Sequence, residues 1–204
     1  MGCGDGLNLD FIEYEFGTRR SSPPPDVVTL HQVHSVCVIA NRGRPARRDA
    51  GDALLENLPG IAIGVKTADC VPILLADPVK RAVAAVHAGW RGTAAYILQA
   101  AIRGMVSEFG CRPEDVHAAI GPAIGGCCFE VGPEVAREFG VIATGRVHLD
   151  LRAINARQLE AAGIARANIS VSSECTKCQA EDYHSFRRDR EEAGRMISWI
   201  RIRG

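Results

Sequence analysis

The chain has 204 residues, 47% of them hydrophobic and 24% charged, with 24 basic and 24 acidic side chains and a formal net charge of zero. This is the composition of a folded globular protein, and the length suits one domain spanning 1–204. Balanced charge with scattered Lys and Arg removes the electrostatic basis for binding nucleic acid or an anionic membrane surface, and a small-molecule ligand is expected instead.

No apolar stretch reaches the length of a membrane span. The opening MGCGDGLNLDFIEYEF carries acidic residues where a signal peptide has a basic region and an apolar run, so a cytoplasmic location is expected. In that compartment the eight cysteines read as free thiols rather than as a disulfide framework.

Taken in chain order, Phe11 to Thr18 reads as a first strand, and the run from Ser21 to Pro25 stops regular structure. Val27 to Leu30 and Val36 to Ala40 read as strands flanking His31-Gln32-Val33-His34. On a strand, positions three apart face opposite sides, so at most one of His31 and His34 serves a given metal. Arg42 to Gly51 is a basic, solvated loop. Ile61 to Val65 is a buried strand that delivers Lys66-Thr67-Ala68-Asp69-Cys70 at its end.

Val71 to Ala76 and Ala82 to Val86 are apolar runs of strand length, separated by the turn chemistry of Asp77-Pro78-Val79-Lys80. With the turn centred between Pro78 and Val79, Cys70 and His87 oppose one another. Their Cβ atoms would then lie ~4.5–5.5 Å apart on one face, close enough to share a metal ion or a proton. The competing reading is structural, since an apolar run of this length also fits a helix and Cys is among the most buried residue types.

Beyond His87 the apolar spacing turns helical from Thr93 to Phe109, with Gly110 as the closing residue. The connection Gly89-Trp90-Arg91-Gly92 would aim backbone N–H groups and a helix N-terminus at the His87 end of the sheet, a place that suits an anion, and Arg91 adds a planar fork for phosphate or carboxylate. Equally, Arg91 could pair with a carboxylate of the fold while the glycines serve only the turn.

Val116 to Ile120 is a further strand, followed by a glycine-rich run from Gly121 to Glu130. Gly132 to Phe139 fits a short helix with Pro133 in its first turn, and Asp150 caps a helix from Leu151 to Ala162 closed by Gly163. Ile169 to Val171 and Met196 to Ile202 are late strands, with Ser185-Phe186-Arg187-Arg188-Asp189 between them. Cys175 and Cys178 have the spacing of half a zinc knuckle, but no second such pair follows to complete four ligands. His117 and His148 fit no ligand spacing and read as ordinary surface or core residues.

Six motifs in order carry a resemblance: HQVHS at 31–35, TADCVPILLADP at 67–78, AAVHAGWRGT at 84–93, AIGPAIGGCCFEVGPEV at 119–135, DLRAINARQLEAAG at 150–163, and CT with HSFRRDR between 175 and 190. Together they resemble the laccase-domain family, whose bacterial members are also described as multicopper polyphenol oxidase-like proteins, peptidoglycan editing factors or purine nucleoside phosphorylases. The resemblance implies a single-domain α/β fold of the mixed-sheet αββα sandwich type, with Zn2+ held by His34, Cys70 and His87 and Cu2+ as the alternative metal. It implies catalysis at Cys70 and His87, with purine nucleoside and phosphate as small-molecule partners, Arg91, Arg187 and Arg188 as phosphate or substrate contacts, and a monomer or homodimer. The expected activity is purine nucleoside phosphorolysis with adenosine deamination beside it. The alternatives are copper-dependent phenol oxidation, editing of peptidoglycan precursors, a Cys70 nucleophile with His87 as its base, and a non-catalytic zinc domain.

Six histidines, only three of them clustered by motif, cannot furnish the coupled sites of a multicopper oxidase, and three ligands with a free fourth position are the arrangement of catalytic rather than structural zinc. Segment 1–28 departs from the family pattern, being short and only faintly similar at Gly6-Leu7-Asn8-Leu9 and Phe16-Gly17-Thr18-Arg19. If the corresponding loop encloses substrate, either broader specificity or weaker binding is expected.

Overall fold

The centre of the protein is a hairpin of two seven-residue strands, every residue of which is buried. The structure is a computed structural model and describes residues 6–43 and 49–204; residues 44–48 of the basic loop expected at 42–51, and residues 1–5 of the opening segment, lie outside the described residues. The strands are β1 (Ile12–Glu15), β2 (Val38–Ala40), β3 (Ala53–Glu56), β4 (Ile63–Thr67), β5 (Val71–Asp77), β6 (Ala82–Ala88), β7 (His117–Ile120), β8 (Glu130–Val131), β9 (Val147–His148), β10 (Ile169–Val171) and β11 (Met196–Ile202). The helices are α1 (Trp90–Ala94), α2 (Ile97–Phe109), α3 (Pro133–Arg137), α4 (Leu151–Ala161) and α5 (Phe186–Asp189).

A six-stranded mixed sheet runs in the order β10-β7-β5-β6-β3-β2, and a three-stranded antiparallel sheet runs β1-β11-β4. Strand alternation divides the core between the two faces of the larger sheet. Val71, Ile73, Leu75, Ala84 and Val86 face the side of α2 and α4, where they pack with Leu98, Met105 and Leu159. Leu74, Ala76, Val83, Ala85 and Leu54 face the other side and pack with Ile63, Val65, Ile200 and Ile202 of the smaller sheet. Because both faces are covered, β5 and β6 are apolar throughout instead of alternating apolar and polar. The α/β class and the packed mixed sheets are as expected. Among the described residues, the two helices longer than five residues both lie on one side, giving layers of helix, sheet and sheet.

Three expectations are corrected by tertiary contacts. The hairpin register pairs Val71 with Ala88 and Pro72 with His87, so Cys70 falls opposite Gly89 rather than His87. The cause is Asp77, whose carboxylate accepts the N–H groups of Val79 and Lys80 at 2.8 and 2.9 Å and holds Asp77 as the last strand residue. The bend therefore falls one residue later than expected. This moves the register by two, which preserves the face: Cys70 and His87 still share one side of the sheet.

The helix expected over 93–109 is two helices, broken at Tyr96, whose φ of 64° is left-handed. The break is held from α4, where Asn155 Nδ2 and Gln158 Nε2 donate to the hydroxyl and carbonyl of Thr93. The first of the two begins at Trp90, with Gly89 as its cap, so residues 90–92 are helical and only a single turn points toward His87. Finally, residues 27–30 form no strand beyond an isolated bridge from Val28 to Ile63, and β3 appears where no strand was expected. Four residues ending in a buried Glu56 give no alternation from which a strand could be read.

Other local readings hold. Asp150 caps α4 by accepting the N–H groups of Arg152 and Ala153. Gly110 and Gly163 take left-handed φ values of 68° and 99° just past their helices.

Candidate metal centre

The C-terminal end of β6, the residue before β3 and the residue before β5 meet at one end of the larger sheet, on the face covered by the smaller one. His87, Asp52 and Cys70 come from these three positions. His34 enters from the 31–35 loop, which is not a strand. Its φ of 59° is left-handed, so the expectation of opposite-facing histidines on a strand does not apply, although of the two only His34 joins the cluster. The donor atoms of His34, Cys70 and His87 lie within 4.8 Å of one another. Cys70 Sγ is 3.9 Å from His34 Nε2, and the two imidazoles meet edge to face at 4.9 Å between centroids.

Asp52 organises this group. It is fully buried and its Oδ1 lies 2.8 Å from His87 Nδ1. The opposite side of the carboxylate accepts the backbone N–H of Ser35 at 2.6 Å and the Ser35 hydroxyl at 2.8 Å, and Oδ1 also accepts the N–H of His34 at 3.0 Å. One carboxylate thus fixes both the ring of His87 and the loop that presents His34. Burial would raise the Asp52 pKa, but the bond to His87 and the donors of Ser35 outweigh it and hold the carboxyl at about 2. An ionised carboxylate only accepts, so Nδ1 of His87 carries the proton and Nε2 is turned to the cluster.

Burial likewise opposes the charged forms of Cys70 and His87 and is again outweighed. Bonding to His34 and His87 lowers the Cys70 thiol to about 6, while Asp52 and Cys70 raise His87 to about 9. The contacts thus favour the thiolate form of Cys70 and the protonated form of His87, each supporting the other's charge. Two imidazoles and a thiolate suit zinc, whose ligands at ~2.0–2.3 Å lie ~3.5 Å apart in tetrahedral geometry. Gly89 makes the approach possible: a Cβ at that position would stand 2.9 Å from His34 Cδ2 and 3.1 Å from Cys70 Sγ.

Asp69, adjacent to Cys70, has a left-handed φ of 84°. Its buried carboxylate accepts the hydroxyl of Thr176 at 2.6 Å, the hydroxyl of Ser185 at 3.0 Å and the N–H of Arg187 at 2.6 Å. The strained Asp69 backbone is held by these three bonds, which tie motifs more than a hundred residues apart to the centre. Neither Asp52 nor Asp69 was singled out from sequence, since a carboxylate that orients its neighbours has no local spacing signal.

The centre opens into a pocket of about 690 Å³. Arg91 and Arg187 line it; Arg91 stacks over Trp90, with its guanidinium carbon 4.3 Å from the ring centroid, and Arg187 donates to the carbonyl of Glu130. Arg188 is placed elsewhere, its guanidinium engaged by the carbonyls of Thr176, Lys177 and Tyr183 and by Asp189. The other wall residues include Lys66, Arg190, Arg195, Phe129 and Phe186, none of them anticipated as site residues. His117 pairs with Ala76 in the sheet, away from the pocket.

Fold and centre together define a class: a mixed α/β protein with a two-His, one-Cys donor set at the end of its central strands, open to a basic pocket. Residues 15–203 match the family described as multi-copper polyphenol oxidoreductase laccase, and the chain belongs to that family. It is 41% identical over 183 residues to a purine nucleoside phosphorylase of Deinococcus radiodurans, covering 86% of this chain and 70% of the relative. It is also 41% identical over 196 residues to the adenosine deaminase RL5 of an unknown prokaryotic organism, covering 86% and 74%. The fold superposes on the crystal structure of the Bacillus licheniformis hypothetical protein YfiH with a TM-score of 0.83 at 33% identity, covering 87% of this chain and 74% of that one. Among the described residues no helix is long and apolar enough to cross a membrane.

Proposed function

We propose that this protein is a zinc-dependent purine nucleoside phosphorylase with slower adenosine deamination at the same centre. The observation that carries the reading is the conjunction of a three-donor, open-sided metal centre with a pocket walled by Lys66, Arg91, Arg187, Arg190 and Arg195. A nucleoside and an inorganic phosphate both fit such a volume, which lies within the usual ligand-pocket range of ~300–1,000 Å³. The names of the relatives, phosphorylase and deaminase, support the same substrate class.

Zinc, when bound by His34, Cys70 and His87, supplies Lewis acidity and brings a bound water to a pKa near ~7. The chain supplies the rest. The Arg91 guanidinium, stacked on Trp90 and making no hydrogen bond or ion pair among the described residues, can grip phosphate through its planar fork. Phe129 and Phe186 offer apolar faces for a purine. Asp52 keeps the Nδ1 proton on His87 and so keeps Nε2 directed at the centre. In phosphorolysis a phosphate oxygen forms a bond to C1′ as the C1′–N9 bond breaks, and the base departs with a proton, leaving ribose 1-phosphate.

Copper oxidase chemistry is less well supported. A blue-copper centre shares the two-His, one-Cys set but adds a long axial ligand such as Met or Gln; among the described residues no methionine lines the pocket, and the amide of Gln32, which does, is engaged by the Lys66 backbone. Six histidines in the whole chain are also too few to furnish a coupled trinuclear site beside it.

The test is conversion of adenosine or inosine by zinc-loaded, copper-free protein under nitrogen. Free base and ribose 1-phosphate should form only with phosphate, and slower ammonia release from adenosine should persist without it. Arg91→Ala should raise the KM for phosphate more than that for nucleoside. Base release that depends on oxygen or copper, or no nucleoside turnover with zinc in place, overturns the reading.

A further inference from the structure

A second cluster of thiols lies apart from the His34/Cys70/His87 centre. Cys127 and Cys128 sit in the tight turn after Gly125, where the N–H groups of Cys128 and Phe129 both return to the Gly125 carbonyl at 2.9 Å. Cys175 and Cys178 form a turn of their own, in which the N–H groups of Cys178 and Gln179 return to the Cys175 carbonyl at 3.1 and 3.0 Å. The two turns are laid side by side by a parallel bridge between Ala123 and Cys175 and by the Thr176 N–H, which donates to the Ala123 carbonyl. The spacing of Cys175 and Cys178 lacked a second pair in sequence because its partner is a vicinal pair from a distant loop.

The four Sγ atoms lie within 4.8 Å of one another. Cys127 and Cys128 are 3.7 Å apart, Cys127 and Cys178 3.8 Å, and Cys128 and Cys178 3.4 Å. Four thiolates at ~2.3 Å from one tetrahedral ion lie ~3.8 Å from each other, so these separations are those of a single four-sulfur site. An iron–sulfur cluster distributes its cysteines over several irons and sets them farther apart.

Two further features fit a metal. The backbone N–H of Gly125 points at Cys175 Sγ at 3.2 Å, a bond that favours a coordinating thiolate. The depression over the cluster is lined by Arg146, Lys177, Arg187 and Arg190 together with Glu130 and His148; Glu130 is paired with Arg146, and the remaining cations offset the net charge of about −2 of zinc with four thiolates.

We infer that Cys127, Cys128, Cys175 and Cys178 bind a structural zinc ion, separate from the open centre. All four positions are filled by protein sulfur, so this ion has no place for water or substrate and acts as a staple. It joins the loop that carries Phe129 to the loop that carries Thr176, whose hydroxyl holds Asp69 beside Cys70. The staple therefore fixes one wall of the pocket without touching the reacting atoms. Binding replaces the thiol protons with the metal and involves no oxidation.

The inference is independent of the reaction proposed above, and metal stoichiometry tests it directly. Full-length protein purified under reducing conditions should carry about two zinc ions per chain, one closed and one open. Cys70→Ala should retain about one, and X-ray absorption on that variant should show sulfur neighbours only, at ~2.3 Å. Cys178→Ser should lose one ion while the other keeps a mixed nitrogen and sulfur shell. Absence of zinc from Cys70→Ala, a nitrogen or oxygen neighbour in its remaining shell, iron in place of zinc, or disulfides among these four cysteines would overturn the assignment. The absorption measurement on Cys70→Ala decides the matter even if Cys178→Ser fails to fold.

Discussion

Replacing Asp52 by Asn removes one charge and almost no volume, yet it should disable the centre from behind. The carboxylate is met by donors on both sides: His87 Nδ1 and the His34 N–H at Oδ1, and the Ser35 N–H and hydroxyl at Oδ2. An amide has only one acceptor oxygen, so in either orientation its NH2 group faces donors. Each buried hydrogen bond left unmade costs ~1–3 kcal/mol. A ligand-orienting partner of this kind changes metal affinity by about 10–100-fold.

Zinc affinity of the His34/Cys70/His87 centre, read by competition with a chromophoric chelator, should fall by that factor. Stability of the metal-free protein should fall as well, and its pH dependence is fixed in sign. The Asp52 pKa is lowered from 3.8 to about 2. A lowered carboxyl stabilises the fold fully above the unfolded value and loses that contribution as pH falls through the folded one. The shift corresponds to about 2 kcal/mol. The wild-type advantage over Asp52→Asn should therefore be greatest between about pH 4 and pH 6.5. It should shrink toward pH 2 as the carboxyl protonates, and shrink again toward pH 9 as His87, which Asp52 helps raise to about 9, loses its proton. Unchanged zinc affinity together with a stability gap independent of pH would refute the argument that Asp52 holds the centre.

Two further substitutions probe the same architecture. Gly89→Ala places a Cβ against His34 and Cys70 and should weaken zinc binding at the open centre by tenfold or more, with a near-native circular dichroism spectrum; equal affinity would mean that the rings and thiol shift freely. Asp69→Ala removes the acceptor for Thr176, Ser185 and Arg187 and should cost ~2–4 kcal/mol in denaturant unfolding, since several buried donors lose their partner, while the KM for nucleoside rises. A loss below about 1 kcal/mol would show that water replaces the carboxylate.

Sequence alone determined the elements whose signals are local. The apolar runs of β5 and β6, the Asp150 cap, the glycines that close α2 and α4, and the late strand at 196–202 all follow from neighbours within a few residues, where periodicity and capping act. The family motifs, read as a resemblance, also marked His34, Cys70 and His87 as a group. Only the tertiary structure decided the rest. The hairpin register turned on where the Asp77 carboxylate found its donors, and the break at Tyr96 on side chains reaching over from α4. The carboxylates of Asp52 and Asp69 act through partners that the chain brings from 17 to 118 residues away, and such contacts leave no spacing to read. The four-cysteine cluster shows the same limit, because Cys175 and Cys178 look incomplete until packing of the central sheet lays the loop of Cys127 and Cys128 against them.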